Sequence, residues 1–149
     1  MQKINGLVAK CLVVNVEHRV LLLTIGEHTK YPRLSYSADL PGGIIEKDEQ
    51  PRDGVVREIY EETGIVVDPA QLHKVSAMTT IVPGVDALVE KQLYIVRTSS
   101  LSVTLSYEHE SYRWVTLDEL LHTSFSGFYF DDFIEKALMR VVDERLIET

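Results

Sequence analysis

The sequence has few of the features that mark several large classes of protein. Cys11 is the single cysteine among 149 residues, which excludes an internal disulfide framework and an all-cysteine zinc site. No stretch approaches the roughly 18 apolar residues of a membrane-spanning helix, and the first residues do not resemble a signal peptide. Basic residues number 15 against 23 acidic ones, and the resulting charge of −8 disfavours nucleic-acid polymers and anionic membranes as partners. We therefore expect a cytoplasmic protein.

The chain otherwise has the composition of an ordinary globular protein. It is 45% hydrophobic and 26% charged, and no repeat, low-complexity tract or Gly/Ser linker divides it. A chain of this size buries roughly 68–70% of its unfolded surface when it folds as one unit. We therefore expect a single domain over residues 1–149.

Hydrophobic periodicity predicts a mixed arrangement of strands and helices. Apolar runs rich in Val, Leu and Ile predict strands at residues 4–16, 20–25, 72–82, 88–96 and 112–115. A turn is expected at residues 17–19, a loop over residues 27–38, and a connection between strands at Pro83 and Gly84.

Capping residues predict three helices. Pro51 begins the first and Gly64 ends it, and Thr116 with Glu119 forms a capping box for a short second one. The last helix begins near residue 131 or 132, with an apolar stripe of Ile134, Ala137, Leu138, Val141, Val142 and Leu146. This order predicts an α/β (α+β) fold, a mixed β-sheet sandwiched between α-helices.

Three glutamates lie close together on the first predicted helix. Glu58, Glu61 and Glu62 share an arc of about 100°, beside a core-facing arc formed by Val55, Val56, Ile59 and Thr63. Like charges at this spacing cost about 0.2–0.5 kcal/mol per pair, and acids in a last turn oppose the helix dipole. A divalent cation reverses both effects, and Mg²⁺ prefers oxygen ligands shared with water and phosphate. A solvated acidic face is the alternative interpretation.

Residues 43–65 resemble the Nudix box. Its pattern is Gly, five residues, Glu, seven residues, then Arg-Glu-aliphatic-any-Glu-Glu-any-Gly-aliphatic. Every constrained position matches, through Gly43, Glu49, Arg57, Glu58, Ile59, Glu61, Glu62, Gly64 and Ile65. The Leu40-Pro41-Gly42-Gly43 lead-in and the segment from Trp114 to Leu120 also resemble the family. Ala38 departs from it, because relatives often carry an aromatic residue there.

The resemblance implies a Nudix fold and a hydrolase that cleaves a diphosphate bond in a nucleoside diphosphate linked to another group. Mg²⁺ is the implied cofactor, with Mn²⁺ as a possible substitute. Glu58, Glu61 and Glu62 would be the metal ligands, assisted by the backbone carbonyl of Gly43. Glu49 would be a further metal-site acid, and the side chain of Arg57 would orient it. The implied partner is a small-molecule nucleotide, and the protein would be a monomer or a homodimer.

The general base is less constrained by the resemblance. Family members use a box glutamate or an acid on a later loop, which here is Glu108, with Glu110 as the alternative. We interpret His109 as a surface histidine. Cys11 lies in an apolar strand and is interpreted as a core residue rather than a nucleophile.

Substrate selection must come from residues outside the box. Lys30 and Arg33 offer positive charge for phosphate, and Tyr36 and Phe128 offer rings for stacking. The commoner explanation for any one of them is a mobile surface loop or, for Phe128, docking of the last helix on the sheet. ADP-ribose hydrolases of the family tend to have a proline where this chain has Thr80.

The chain lacks the proline that would indicate an ADP-ribose hydrolase, and its nearest proline is Pro83. We therefore expect the substrate to be a nucleoside triphosphate, cleaved to monophosphate and pyrophosphate. An ADP-ribose or nucleotide-sugar pyrophosphatase is the first alternative. A non-catalytic nucleotide-sensing module is the second, although the intact box favours an enzyme.

Overall fold

The computed structural model describes residues 4–82 and 87–148. The described strands, in chain order, are β1 (Ile4–Val14), β2 (Val20–Ile25), β3 (Ala38–Asp39), β4 (Gly42–Ile44), β5 (His73–Val82), β6 (Ala87–Arg97) and β7 (His109–Val115). The helices are α1 (Pro51–Thr63), α2 (Leu117–Leu121) and α3 (Asp132–Asp143). Short 3-10 turns lie at Pro32–Leu34, Pro69–Gln71 and Phe128–Phe130. Pro83 and Gly84, where we expected a connection between strands, are outside the described residues.

The sheet is built around β1. This strand runs parallel to β6 and antiparallel to β2 and β4. β5 pairs with β6, whereas β3 and β7 both pair with β2. The short strands β3 and β4 follow each other in the chain and therefore connect β2 to β1.

Each face of the sheet carries its own hydrophobic core. Alternate residues of β1 face opposite sides, so Cys11 packs in a cluster with Val55 of α1, and Leu12 packs in a cluster with Leu138 of α3. The predicted mixed sheet between helices is confirmed. Cys11 is fully buried, and burial raises the pKa of its thiol, as expected for a core residue.

The predicted helix ends are confirmed where capping residues specify them. Pro51 is the first residue of α1, and Gly64 follows its last residue with φ of 74°, a left-handed conformation that favours glycine. Thr116 and Glu119 form the predicted capping box at α2. Asp131 caps α3 by accepting a hydrogen bond from the backbone N–H of Phe133.

Two predicted strand ends were wrong. β1 ends at Val14 rather than at residue 16, because the side chain of Asn15 accepts two backbone hydrogen bonds and starts the turn early. β7 begins at His109 rather than at residue 112, because its pairing with β2 continues as far as Ile25.

Two other segments also differ from expectation. The predicted loop over residues 27–38 contains a 3-10 turn and the first residue of β3. In α3, Phe133 is buried although we did not assign it to the stripe, whereas Val142 is 38% exposed at the edge of that face. No helix among the described residues is long and apolar enough to cross a membrane.

β4 lies so close to β1 that Gly42 has no room for a side chain. Its φ is 135°, which non-glycine residues rarely adopt. A Cβ atom there would lie 2.2 Å from the carbonyl oxygen of Ala9 and 2.6 Å from Cα of Lys10. Both neighbours are backbone atoms and cannot rotate away, so glycine is required at this position.

We expect Gly42→Ala to lower the free energy of unfolding by about 2–5 kcal/mol, because it adds backbone strain and a clash inside the sheet. Chemical denaturation measures this change. Gly6→Ala is the matched control, since a Cβ atom at Gly6 would meet Val89 at an ordinary 4.0 Å. Equal losses of stability in the two variants would contradict the proposed close packing of β4.

Candidate functional site

The carboxylates of α1 meet the backbone of the two glycines in β4. Oε1 of Glu62 accepts a hydrogen bond of 2.8 Å from the N–H of Gly42. A Cβ atom at Gly43 would lie 3.0 Å from the carboxyl group of Glu58. The absence of side chains in β4 therefore lets the last two turns of α1 approach the sheet with their acids facing it.

The guanidinium group of Arg57 contacts three acids of this segment, which are Glu49, Glu58 and Glu61. Nε and Nη2 of Arg57 donate to the two oxygens of Glu49 at 2.7 and 2.9 Å. Nη1 of Arg57 lies 3.2 Å from an oxygen of Glu58 and 3.2 Å from one of Glu61. The hydrogen bonds from Arg57 lower the pKa of Glu49. Both oxygens of Glu49 are thus engaged in holding Arg57.

The three clustered glutamates differ strongly in burial. The side chain of Glu61 is 54% exposed and that of Glu58 is 17% exposed, whereas that of Glu62 is only 5% exposed. Burial raises the pKa of Glu62 to about 7, despite the favourable charge of Lys10 and the hydrogen bond from Gly42. Burial also raises the pKa of Glu58. The sequence placed all three at one edge of the buried face and could not rank them.

A buried polar group that the sequence did not predict lies next to Glu62. Asp39 binds Nζ of Lys10 at 2.9 Å and Nε2 of His109 at 2.8 Å. Burial disfavours the charge on Asp39, but Lys10 and His109 outweigh it and lower the pKa of this carboxyl. The interpretation of His109 as a surface histidine was wrong, because it is 5% exposed. Its burial depends on Asp39, 70 positions away, and no local pattern signals such a pairing.

Asp39, Glu62 and His109 together have the composition of a metal-binding group. One possible ligand atom from each lies within 4.8 Å of the others, and all three residues are buried. Nδ1 of His109 is the buried side-chain atom that has no hydrogen-bond partner among the described residues. Oε2 of Glu62 is 3.6 Å from it.

The two candidate bases, Glu108 and Glu110, lie on either side of His109 in the chain and have different surroundings. Both are exposed, and Glu108 lines a cavity of about 470 Å³ together with Asp39 and His109. Burial raises the pKa of Glu58 against the opposing effect of Arg57, and the negative charges of Glu61 and Glu108 make smaller contributions in the same direction as burial. Glu108 is thus close enough to Glu58 to act on it electrostatically, although no box residue lines the cavity. Glu110 is on β7 and does not line this cavity.

Three of the four predicted substrate contacts lie on the loop beside this cavity. Lys30, Arg33 and Tyr36 are all exposed, and the residues of this loop that line the cavity are instead Glu27, His28, Thr29 and Leu34. The side chain of Phe128 lies outside the described part of the structure, as does Pro83. The four substrate contacts therefore stay predictions.

Comparison with known proteins decides the family. The NUDIX domain model matches residues 5–132. The chain belongs to the NUDIX domain family. A MutT-like protein of Streptomyces ambofaciens is 42% identical over 85 residues, which are 55% of this chain and 49% of that protein. The match thus spans about half the length of that relative.

Solved structures show the same Nudix fold. The MutT protein from Methanosarcina mazei Go1 has a TM-score of 0.73 at 26% identity, with 97% of this chain and 98% of that chain covered. The NUDIX domain of Shewanella oneidensis NrtR, solved with ADP ribose, has a TM-score of 0.69 at 19% identity, with 97% and 90% covered. At that identity the second likeness concerns the fold alone.

The residues of this Nudix site fit the divalent cation that the family implies. Carboxylate and carbonyl oxygens are the ligands that Mg²⁺ and Mn²⁺ prefer. Because Gly43 has no side chain, the carboxyl group of Glu58 can lie directly against the backbone of β4. Burial raises the pKa values of Glu58 and Glu62 although Arg57 and Lys10 act in the opposite direction, so an added positive charge would favour their ionised forms.

We expect Glu62→Gln to raise the free energy of unfolding of the metal-free protein by about 2 kcal/mol at pH 8. The pKa of Glu62 is raised in the folded state, from 4.5 to about 7. The contribution of Glu62 to stability is therefore fully present below its unfolded-state pKa of 4.5. It is lost as the pH rises through its folded-state pKa of about 7. Denaturation in EDTA at pH 5 and pH 8 should show the advantage of glutamine growing with pH.

Glu61→Gln is the matched control for this pH series. Glu61 is on the same helical turn but is 54% exposed, so its stability difference from wild type should stay within about 0.5 kcal/mol. A Glu62→Gln variant with the same pH dependence as wild type would contradict the burial-raised pKa.

Proposed function

We propose that this protein is a Nudix hydrolase that cleaves the diphosphate linkage of a small nucleotide, with a nucleoside triphosphate as the favoured substrate. The observation that carries the proposal is the meeting of two box carboxylates with the glycines of β4. Glu62 is bonded to the N–H of Gly42, and Glu58 lies against Gly43. This arrangement gathers oxygen ligands where α1 meets β4, and Glu62 adjoins His109, which lines an open cavity.

In this proposal Glu58, Glu61, Glu62 and the carbonyl of Gly43 hold Mg²⁺ or Mn²⁺. When bound, such cations neutralise the diphosphate and make an attacking water more acidic. Arg57 keeps the carboxylates of Glu58 and Glu61 in place through contacts of 3.2 Å. Glu49 would act through Arg57, since both of its oxygens accept hydrogen bonds from that guanidinium.

Glu108 is the proposed general base. Its exposed carboxylate lines the same cavity as Asp39 and contributes to the charge felt by Glu58. In this role it takes a proton from water, whose oxygen forms a bond to phosphorus as the bond to the bridging oxygen breaks. A water attack of this kind requires no covalent protein intermediate. Cys11 is buried in the core, consistent with a reaction that does not use it.

The cavity supports a mononucleotide-sized substrate. Its volume of about 470 Å³ is within the range of roughly 300–1,000 Å³ typical of small-molecule sites. His28 and Tyr107 line it and offer rings for a base, together with the acidic side chains of Asp39 and Glu108. Lys30, Arg33, Tyr36 and Phe128 remain proposed contacts of the phosphate chain or the base, on the loop and turn flanking it.

The test of the proposed function is hydrolysis of a nucleotide panel in the presence of Mg²⁺, with products separated by chromatography. We expect nucleoside triphosphates to yield monophosphate and pyrophosphate. Glu61→Gln should lower turnover at least about a hundredfold, which would assign the activity to this site. AMP and ribose phosphate released from ADP-ribose would instead support the pyrophosphatase alternative. Binding without hydrolysis across the whole panel would contradict the enzymatic proposal and favour a sensor.

The two candidate bases form a matched pair of variants. We expect Glu108→Gln to lower kcat by about 10²–10⁴-fold, which is the usual contribution of a general base. Glu110→Gln removes the same charge two residues further on and should leave kcat within a few-fold of wild type. Measurement of kcat at saturating Mg²⁺ separates them. Equal losses would contradict the choice of Glu108, and a loss in Glu110→Gln alone would reverse it.

A further inference from the structure

Glu62 is one of five residues that form a ring of polar contacts, in which every link but one is a hydrogen bond. Lys10 donates to Asp39 at 2.9 Å and also to the carbonyl oxygen of Gly42 at 3.3 Å. The N–H of Gly42 donates to Oε1 of Glu62 at 2.8 Å. Oε2 of Glu62 faces Nδ1 of His109 at 3.6 Å, and Nε2 of His109 returns to Asp39 at 2.8 Å.

The members of this ring come from separate elements of the fold. Lys10 is on β1, Asp39 on β3, Gly42 on β4, Glu62 on α1 and His109 on β7. The side chains of Asp39, Glu62 and His109 are each at least nine-tenths buried. Such a ring constrains the position of both oxygens of Glu62 relative to the sheet.

The weakest contact of the ring lies between His109 and Glu62. Nε2 of His109 is occupied by Asp39, whereas Nδ1 is the buried atom without a hydrogen-bond partner among the described residues. A buried polar nitrogen without a partner is unfavourable. The polar atom it faces is Oε2 of Glu62, and a movement of a few tenths of an ångström would bring the pair within hydrogen-bond distance.

We propose that His109 is a positioning residue that holds Oε2 of Glu62 in the orientation needed to bind a divalent cation, and that Asp39 and Lys10 hold His109 in place. The proposal rests on the proposed function of Glu62 as a metal ligand. Groups that hydrogen-bond to metal ligands typically contribute 10–100-fold to metal affinity.

Direct ligation of a metal by Asp39 and His109 is disfavoured by their existing contacts. The ammonium group of Lys10 lies 2.9 Å from Asp39, where it repels a cation. Asp39 and His109 already bind each other at 2.8 Å. His109 therefore acts on the metal through Glu62 rather than as a ligand.

The test is Mn²⁺ binding to the full chain without nucleotide. Binding is measured as the decrease in the electron paramagnetic resonance signal of free Mn²⁺. We expect His109→Ala to weaken Mn²⁺ binding by about 10–100-fold. His109→Asn places an amide near the position of Nδ1 and should restore most of the affinity. His109→Gln reaches the position of Nε2 instead and should restore little.

Asp131→Asn is the matched control. Asp131 binds the buried Lys91 at 2.8 Å, in an ion pair outside the ring, so this variant should bind Mn²⁺ like wild type. The melting temperature of each variant identifies any that do not fold. If His109→Ala does not fold, Asp39→Asn, which keeps the side-chain volume, should still weaken Mn²⁺ binding by more than about 3-fold, since it loosens the contact that holds His109 in place.

Kinetic and spectroscopic measurements separate positioning from a merely structural role. At saturating Mg²⁺, His109→Ala should recover much of the wild-type kcat, because the substitution weakens metal binding and excess metal compensates for this. The KM for nucleotide should stay within about 2-fold of wild type. Electron spin-echo measurements on the wild-type Mn²⁺ complex should show no directly bound imidazole nitrogen. Detection of such a nitrogen would overturn positioning in favour of ligation.

Two failures would have different meanings. Equal Mn²⁺ affinity in wild type and His109→Ala, or equal losses in His109→Ala and Asp131→Asn, would overturn the positioning role alone. A wild-type protein that binds no Mn²⁺ would overturn the proposed function, and the positioning role with it. Glu62→Gln should lose Mn²⁺ affinity whether His109 positions Glu62 or binds the metal itself. Retention of affinity in that variant would therefore overturn both the proposed function and the positioning role.

Discussion

The site depends on the close packing of β4 between β1 and α1. Gly42 lies where a Cβ atom would be 2.2 Å from the backbone of β1, and Gly43 lies where one would be 3.0 Å from the carboxyl group of Glu58. Only this approach brings the N–H of Gly42 within 2.8 Å of Glu62. A larger residue at either glycine would separate the acids of α1 from the backbone of β4. The same two residues therefore serve the core and the chemistry.

That packing has an electrostatic cost which the described side chains offset only in part. Residues 43–65 contain seven acidic and three basic side chains, which account for half of the net charge of −8. Arg57 faces three of the acids, and Lys10 faces the buried carboxyl group of Asp39. The pKa of Glu62 is nevertheless raised to about 7 by burial. A divalent cation is the counter-charge that such an arrangement accommodates best.

Much of the fold could be predicted because its signals are local. The ends of α1 follow from Pro51 and Gly64, whose backbone preferences act within one helical turn. The capping box of α2 involves residues three positions apart. β4 had no such signal, since a strand of three residues that include two glycines has no hydrophobic alternation. The early end of β1 was missed because a side chain, Asn15, replaced the backbone pairing that apolar residues suggested.

By itself the sequence determined the family and the helix that carries the candidate metal-binding carboxylates, because the box lies within 23 consecutive residues. Only the tertiary structure decided which glutamate is buried and which groups surround it. Lys10 and Asp39 are 29 positions apart, and Asp39 and His109 are 70 apart. Their meeting depends on how β1, β3 and β7 pair across the sheet, and it is burial among these distant groups that distinguishes Glu62 from its neighbours on the same helix.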